Sequence, residues 1–171
     1  MARNLILTFV LIAVFFLQGF LSVAQIYRNG LGVRIGETQG IIYKQFFAKT
    51  VALEAGLAFF KQGVNLTLIA ENHHFDMFRT KNLYLFYGFG LHAGYFDGTR
   101  IPLWFPDDRG FRYYFVSGVD GIVGMEYTFE QIPVCIGLEL KPAMNIIGTV
   151  SYWQGYAVSL KYIFYNIKPL Q

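Results

Sequence analysis

Taken two residues at a time, the stretch LYLFYGFGLHAGYF sorts into two rows. Leu83, Leu85, Tyr87, Phe89, Leu91, Ala93 and Tyr95 fall on one side, and Gly88, Gly90, His92 and Gly94 on the other. Side chains alternate across a strand, so this is a ribbon with one apolar and one small or polar face. The same test separates Tyr156, Val158, Leu160, Tyr162 and Phe164 from Gly155, Ala157, Ser159 and Lys161. It sets Ile132, Val134, Ile136, Leu138 and Leu140 against Cys135, Gly137, Glu139 and Lys141. Val119, Val123, Met125, Tyr127 and Phe129 oppose Asp120, Gly124, Glu126 and Thr128, with Ile122 on the polar side.

Upstream, Leu53, Ala55, Leu57 and Phe59 oppose Glu54 and Gly56, while Leu66, Leu68 and Ala70 oppose Thr67, Glu71 and His73. Val33 and Ile35 oppose Arg34, and Ile41 and Tyr43 oppose Lys44, with Ile42 and Phe46 out of place. These segments make eight predicted strands. Short links fall near 37–39, 47–50, 61–63 and 130–131, and longer ones at 72–81, 97–112 and 143–154. Spacing of this kind predicts an all-β barrel or sandwich. A bundle of spanning helices does not fit: the one uncharged run of sufficient length, 142–160, holds Pro142, Asn145, Gly148, Gln154 and Gly155.

Composition sharpens the choice. Charged residues are 15% of the chain, against roughly 25% in ordinary soluble domains. Aromatics reach 19%. That much apolar surface exceeds what a small soluble core hides easily. The amino terminus supplies a route to lipid. Arg3 precedes an uncharged apolar run that ends at Ser22-Val23-Ala24, the order of a cleavable helical signal peptide over 1–24. The rest, 25–171, is sized for one domain. Losing Arg3 lowers the formal net charge of +3 by one, which favours neither nucleic acid nor a polybasic membrane switch. Cys135 is alone and forms no internal disulfide.

A soluble sandwich would turn the apolar faces inward. Three features favour the inverse. The polar faces carry about one charge per strand among glycines, which is sparse for a solvated sheet. Tyr84, Tyr87, Tyr95, Tyr127, Tyr152, Trp153, Tyr156 and Tyr162 cluster near strand ends, as an interfacial girdle requires. The leader exports the chain. Lipid forbids an open sheet edge, so the expectation is an eight-stranded antiparallel up-and-down transmembrane β-barrel.

The segments GVRIGETQGIIYKQF, LYLFYGFGLHAGYFDG, GVDGIVGMEYTF and YAVSLKYIF carry a resemblance over about 30–164. The chain resembles the small eight-stranded outer-membrane β-barrel proteins of Gram-negative bacteria, in particular the outer-membrane-protein β-barrel family. The resemblance implies a place in the outer membrane among its lipids. It also implies handling by the barrel-assembly machinery, with Phe164 as the closing aromatic of the last strand, although YNIKPLQ follows it.

With the apolar faces in lipid, the interior receives Arg34, Lys44, Glu54, Glu71, His92, Asp120, Glu126, Glu139, Ser159 and Lys161. Eight strands leave room only for side chains. Buried charges must be paired, so a sealed polar core is expected rather than a proton- or cation-sensitive lumen. A lipid-modifying enzyme would need a serine beside its histidine. The same-face neighbours of His92 are Gly90 and Gly94, so no catalytic site is expected. His73 and His74 lie near Glu71 and Asp76, but only His73 and Glu71 share a face, so no metal or cofactor is expected. The sequon at Asn65 falls inside a predicted strand and is discounted.

The long link at 97–114 mixes Trp104, Phe105 and Phe111 with Arg100, Arg109 and Arg112, good anchors for an extracellular ligand. A loop packed on its own aromatics fits the same residues. The expectation is a monomeric, non-enzymatic envelope barrel. A lipid-modifying enzyme and a narrow channel are the alternatives.

Overall fold

The computed structural model describes residues 27–37, 39–60, 63–74, 82–97, 113–147 and 153–164. The expected leader at 1–24 and the aromatic-basic link of 98–112, with Arg100, Trp104, Phe105, Arg109, Phe111 and Arg112, lie outside them.

Eight strands run in chain order: β1 (Asn29–Gly36), β2 (Gln39–Phe46), β3 (Val51–Phe60), β4 (Gly63–His74), β5 (Leu83–Asp97), β6 (Tyr113–Thr128), β7 (Val134–Ile147) and β8 (Trp153–Ile163). Each pairs antiparallel with the next, and β1 pairs with β8, so the sheet closes into a barrel. Val33 faces Leu160 across that seam, and the Phe164 amide donates to the Asn29 carbonyl at 3.0 Å. Closure gives every strand a partner on both sides, although 113–116 of β6 and 143–147 of β7 pair on one side only among the described strands.

The alternation becomes an inside and an outside. Ile35, Phe89, Leu91, Ile146 and Tyr156 are 63–67% exposed on the outer surface. Tyr95 and Tyr156 sit toward one end of the barrel, and Tyr127 and Tyr162 toward the other. Tyr127 and Tyr162 make edge contacts with Phe129 and Phe164. Tyr84 departs from the expected girdle: its side chain is 6% exposed and points inward, because it is one residue out of step with Leu83 and Leu85.

The apolar residues that fell on polar faces also have their place. Ile122 packs inside with Ile69 and Phe86, and Phe46 packs with Tyr27, Ala52, Cys135 and Ile163 near the chain ends. Ile42 is buried too. A narrow barrel must be filled across its section, and these apolar side chains fill space beside the charged ones.

Several boundaries move. Asn72 to His74 extend β4, and Ala143 to Ile147 extend β7. Ile132 belongs to the turn before β7, where its carbonyl accepts the Val134 amide at 2.7 Å and Pro133 has no amide to offer a ladder. Asn82 enters β5 at φ 69°, a left-handed conformation that Asn tolerates. The β7–β8 register shifts at Leu140 and Lys141, which leaves Gly155 unmatched. Its amide donates to the Glu37 carboxylate at 2.7 Å, so the bulge keeps its hydrogen bond.

Candidate functional site: the barrel interior

Every Asp, Glu, Lys and Arg within the strands whose side chain is described points inward and is at most 5% exposed. Periodicity places one or two such residues on each strand except β5, whose inward positions hold Phe86, Gly88 and His92. What they form is a ring.

Lys44 on β2 meets Glu126 on β6 at 2.5 Å. Glu126 also receives the ammonium of Lys161 on β8. Lys161 lies 3.8 Å from Glu139 on β7, and Glu139 lies 2.6 Å from Arg34 on β1. Arg34 meets Glu54 on β3 at 2.6 Å, and Glu54 returns to Lys44 at 3.5 Å. Three cations and three carboxylates alternate around a closed circuit drawn from six strands. Alternation places each charge between two of opposite sign, which offsets the desolvation that would otherwise exclude ions from such an interior.

Side groups complete the circuit. Glu71 on β4 takes Lys44 at 2.7 Å and the His73 ring at 2.9 Å. Ser159 donates to Glu139 at 2.5 Å, and the Tyr27 hydroxyl donates to Glu126 at 2.9 Å. Beneath the ring, Lys44 sits 4.4 Å from the centre of the Phe86 ring, a cation–π contact. Phe86 stacks on His73 with centroids 5.0 Å apart. Glycines make the space: a Cβ on Gly124 would lie 2.6 Å from Phe86, and one on Gly137 would lie 2.4 Å from the Ser159 hydroxyl.

A second cluster lies farther along the axis. The Nδ1 of His92 is 3.0 Å from Asp120, and its Nε2 is 2.8 Å from the Asn145 side-chain oxygen. Both ring nitrogens are therefore engaged. The ring lies against Gly118, where a Cβ would come within 2.7 Å of its Cε1. Lys141 approaches Asp120 at 3.9 Å.

Of the residues expected inside, Arg34, Lys44, Glu54, Glu71, Glu126, Glu139, Ser159 and Lys161 converge on the ring, while His92 and Asp120 form the separate cluster. Lys141, His73, Tyr27 and Asn145 are additional members. Lys141 shares its face with Glu139 in the sequence, a signal interrupted by the following Pro142. Among the described residues no three His, Cys, Asp or Glu side chains converge as metal ligands. His74 faces away from His73 and stacks on Tyr87, and Asp76 lies outside the described residues.

Closed order, strand number and antiparallel pairing identify the architecture. The fold is similar to that of the N-terminal β-barrel domain of Pseudomonas aeruginosa OprF. The two superpose with a TM-score of 0.56 at 14% identity, over 82% of this chain and 100% of the OprF domain. At that identity the likeness is one of fold. No family model matches the sequence, and no curated protein matches it.

Proposed function

We propose that the protein is a monomeric integral outer-membrane barrel, exported by the leader at 1–24, with a sealed polar interior and no enzymatic activity. It serves the structure of the envelope, or binds an extracellular ligand through its surface links. The observation that carries this reading is the inversion of polarity: the described strand charges are inside, and leucines, isoleucines, valines and aromatics cover the outside. In water that surface would be an aggregation liability, whereas in lipid it is the required face. The OprF likeness agrees with an outer-membrane setting.

Sealing is supported by ion pairs that cross the lumen, since Lys44 and Arg34 each contact carboxylates on strands that are not their neighbours. A non-enzymatic role is supported by the occupancy of His92, whose partners are Asp120 and Asn145, and by Ser159, whose hydroxyl donates to Glu139 rather than standing beside a histidine. The barrel order puts the links after β1, β3, β5 and β7 at the end opposite the chain termini. With the termini in the periplasm, the link at 98–112, with Arg100, Trp104 and Arg109, emerges at the cell surface, where long links are expected.

Fractionation of cells tests this reading, combined with gels of heated and unheated membrane extract and protease added to intact cells. The expected result is outer-membrane material that migrates faster unheated and is cut within 98–112. Recovery as a soluble periplasmic protein would overturn it.

A further inference from the structure

The chain that leads into β1 does not keep the alternation of that strand. Tyr27 has the parity of Leu31, Val33 and Ile35, which face outward, yet it is 2% exposed. A bend at Arg28 turns it into the barrel, and the Arg28 carbonyl accepts the Phe46 amide at 2.8 Å. We propose that Tyr27 is a stopper: carried on the strap before β1, it closes the mouth at the chain-terminal end over the charged ring and is latched there by its hydroxyl.

The packing gives the stopper a seat. Phe46, Ala52 and Ile163 stand two residues nearer the chain-terminal end of their strands than Lys44, Glu54 and Lys161 of the ring. With Cys135 they form an apolar collar drawn from β2, β3, β7 and β8, and Tyr27 completes it. Its ring meets Phe46 edge-on, with centroids 5.0 Å apart. Tyr27 alone in this cluster precedes the strands.

The latch is Glu126, whose two oxygens divide the work. Oε1 takes the ammonium groups of Lys44 and Lys161, and Oε2 accepts the Tyr27 hydroxyl at 2.9 Å. A buried tyrosine hydroxyl needs a hydrogen-bond partner, and a carboxylate makes the stronger kind. The pairing of β1 with β2 and β8 begins at Asn29 and Gly30, beyond Tyr27. Release of the strap therefore exposes the collar and Glu126 to water from this end while the sheet stays closed, a local opening rather than an unfolding.

Cys135, the single thiol of the chain, reports on this opening. It is wholly buried, and its Sγ lies 3.7 Å from the same Glu126 Oε2 that holds Tyr27. Labelling a thiol requires access to it. A charged, membrane-impermeant maleimide added to the folded barrel in detergent tests the proposal, with unheated gels to confirm that the labelled protein is folded. Native protein should label slowly, and Tyr27→Ala rapidly. Tyr27→Phe keeps the ring and loses the latch, and should label about tenfold faster than native or more, the effect of one charged hydrogen bond. The acceleration should persist with little change in dilute urea, because a local opening exposes little surface.

Rapid labelling of the native barrel would overturn the stopper, as would a folded Tyr27→Ala barrel that stays unlabelled. So would a Tyr27→Phe rate equal to native, which decides the matter even if Tyr27→Ala fails to fold. An acceleration that climbs with urea as steeply as unfolding does would assign it to loss of the whole barrel and overturn the stopper too. The proposal rests on the sealed-interior reading, and the two fail separately: conductance of the native protein refutes that reading, whereas a reactive Cys135 in a non-conducting barrel refutes only the stopper.

Discussion

Lys44 on β2 reaches across the barrel to Glu126 on β6, closing to 2.5 Å with both side chains almost wholly buried. The two strands are not neighbours in the sheet, so this pair ties opposite walls together. Glu126 holds Lys161 as well, which makes its carboxylate the joint on which two buried ammonium groups depend. Glu126→Ala would leave Lys44 to Glu71 and Glu54, and Lys161 to Glu139 at 3.8 Å, with one negative charge fewer to hold them. Breaking a buried pair from one side costs about 3–5 kcal/mol, and the unfolding midpoint in detergent and urea should fall accordingly. An unchanged midpoint would mean that the ring contributes little to holding the barrel closed.

Arg34 tests geometry rather than charge. Its guanidinium serves Glu54 and Glu139 at once, through Nη2 and Nε. A lysine keeps the charge and loses the fork. Arg34→Lys should cost roughly 2 kcal/mol, the worth of one charged hydrogen bond, in the same unfolding assay.

The outer face is tested at Leu91, which is 63% exposed and lies in the middle of β5. Leu91→Arg places a charge against lipid, at a cost of about 2–4 kcal/mol near the midplane. Folding into vesicles should fail or weaken for this variant, whereas Leu91→Met should fold as the native protein does. If the face meets water instead, the arginine would be harmless and would improve solubility.

Gly118 tests the packing of the second cluster. A Cβ there would fall 2.0 Å from the Met144 carbonyl and 2.7 Å from the His92 ring. Gly118→Ala must push β6 from β7 or displace His92, and overpacking of this kind costs about 1–3 kcal/mol. The imidazole resonances of His92 should move with it.

Faces were legible in the sequence; heights and partners were not. Alternation assigns Lys44 and Glu126 to the inward side, but nothing in a period of two says that they meet across the lumen rather than along a strand pair. Ile42, Phe46 and Ile122 looked out of step because a polar interior was expected throughout. They are buried inside the barrel, where Phe46 and Ile122 join apolar clusters beside the charged side chains. Lys141 keeps its alternation with Glu139, but Pro142 and the bulge at Gly155 interrupt the pattern just beyond it. Asn145 lies past the bend, where β7 was expected to have ended. The strands could be read because the outer and inner faces of the barrel impose opposite demands on successive residues. The cross-lumen network needed the closed fold.

The most direct test of a sealed interior is electrical. Purified, refolded protein incorporated into planar lipid bilayers should give no stable conductance steps under an applied voltage in concentrated potassium chloride, because the ring of Lys44, Glu126, Lys161, Glu139, Arg34 and Glu54 fills the section of the barrel. Stable open steps that scale with the amount of protein added would contradict the account.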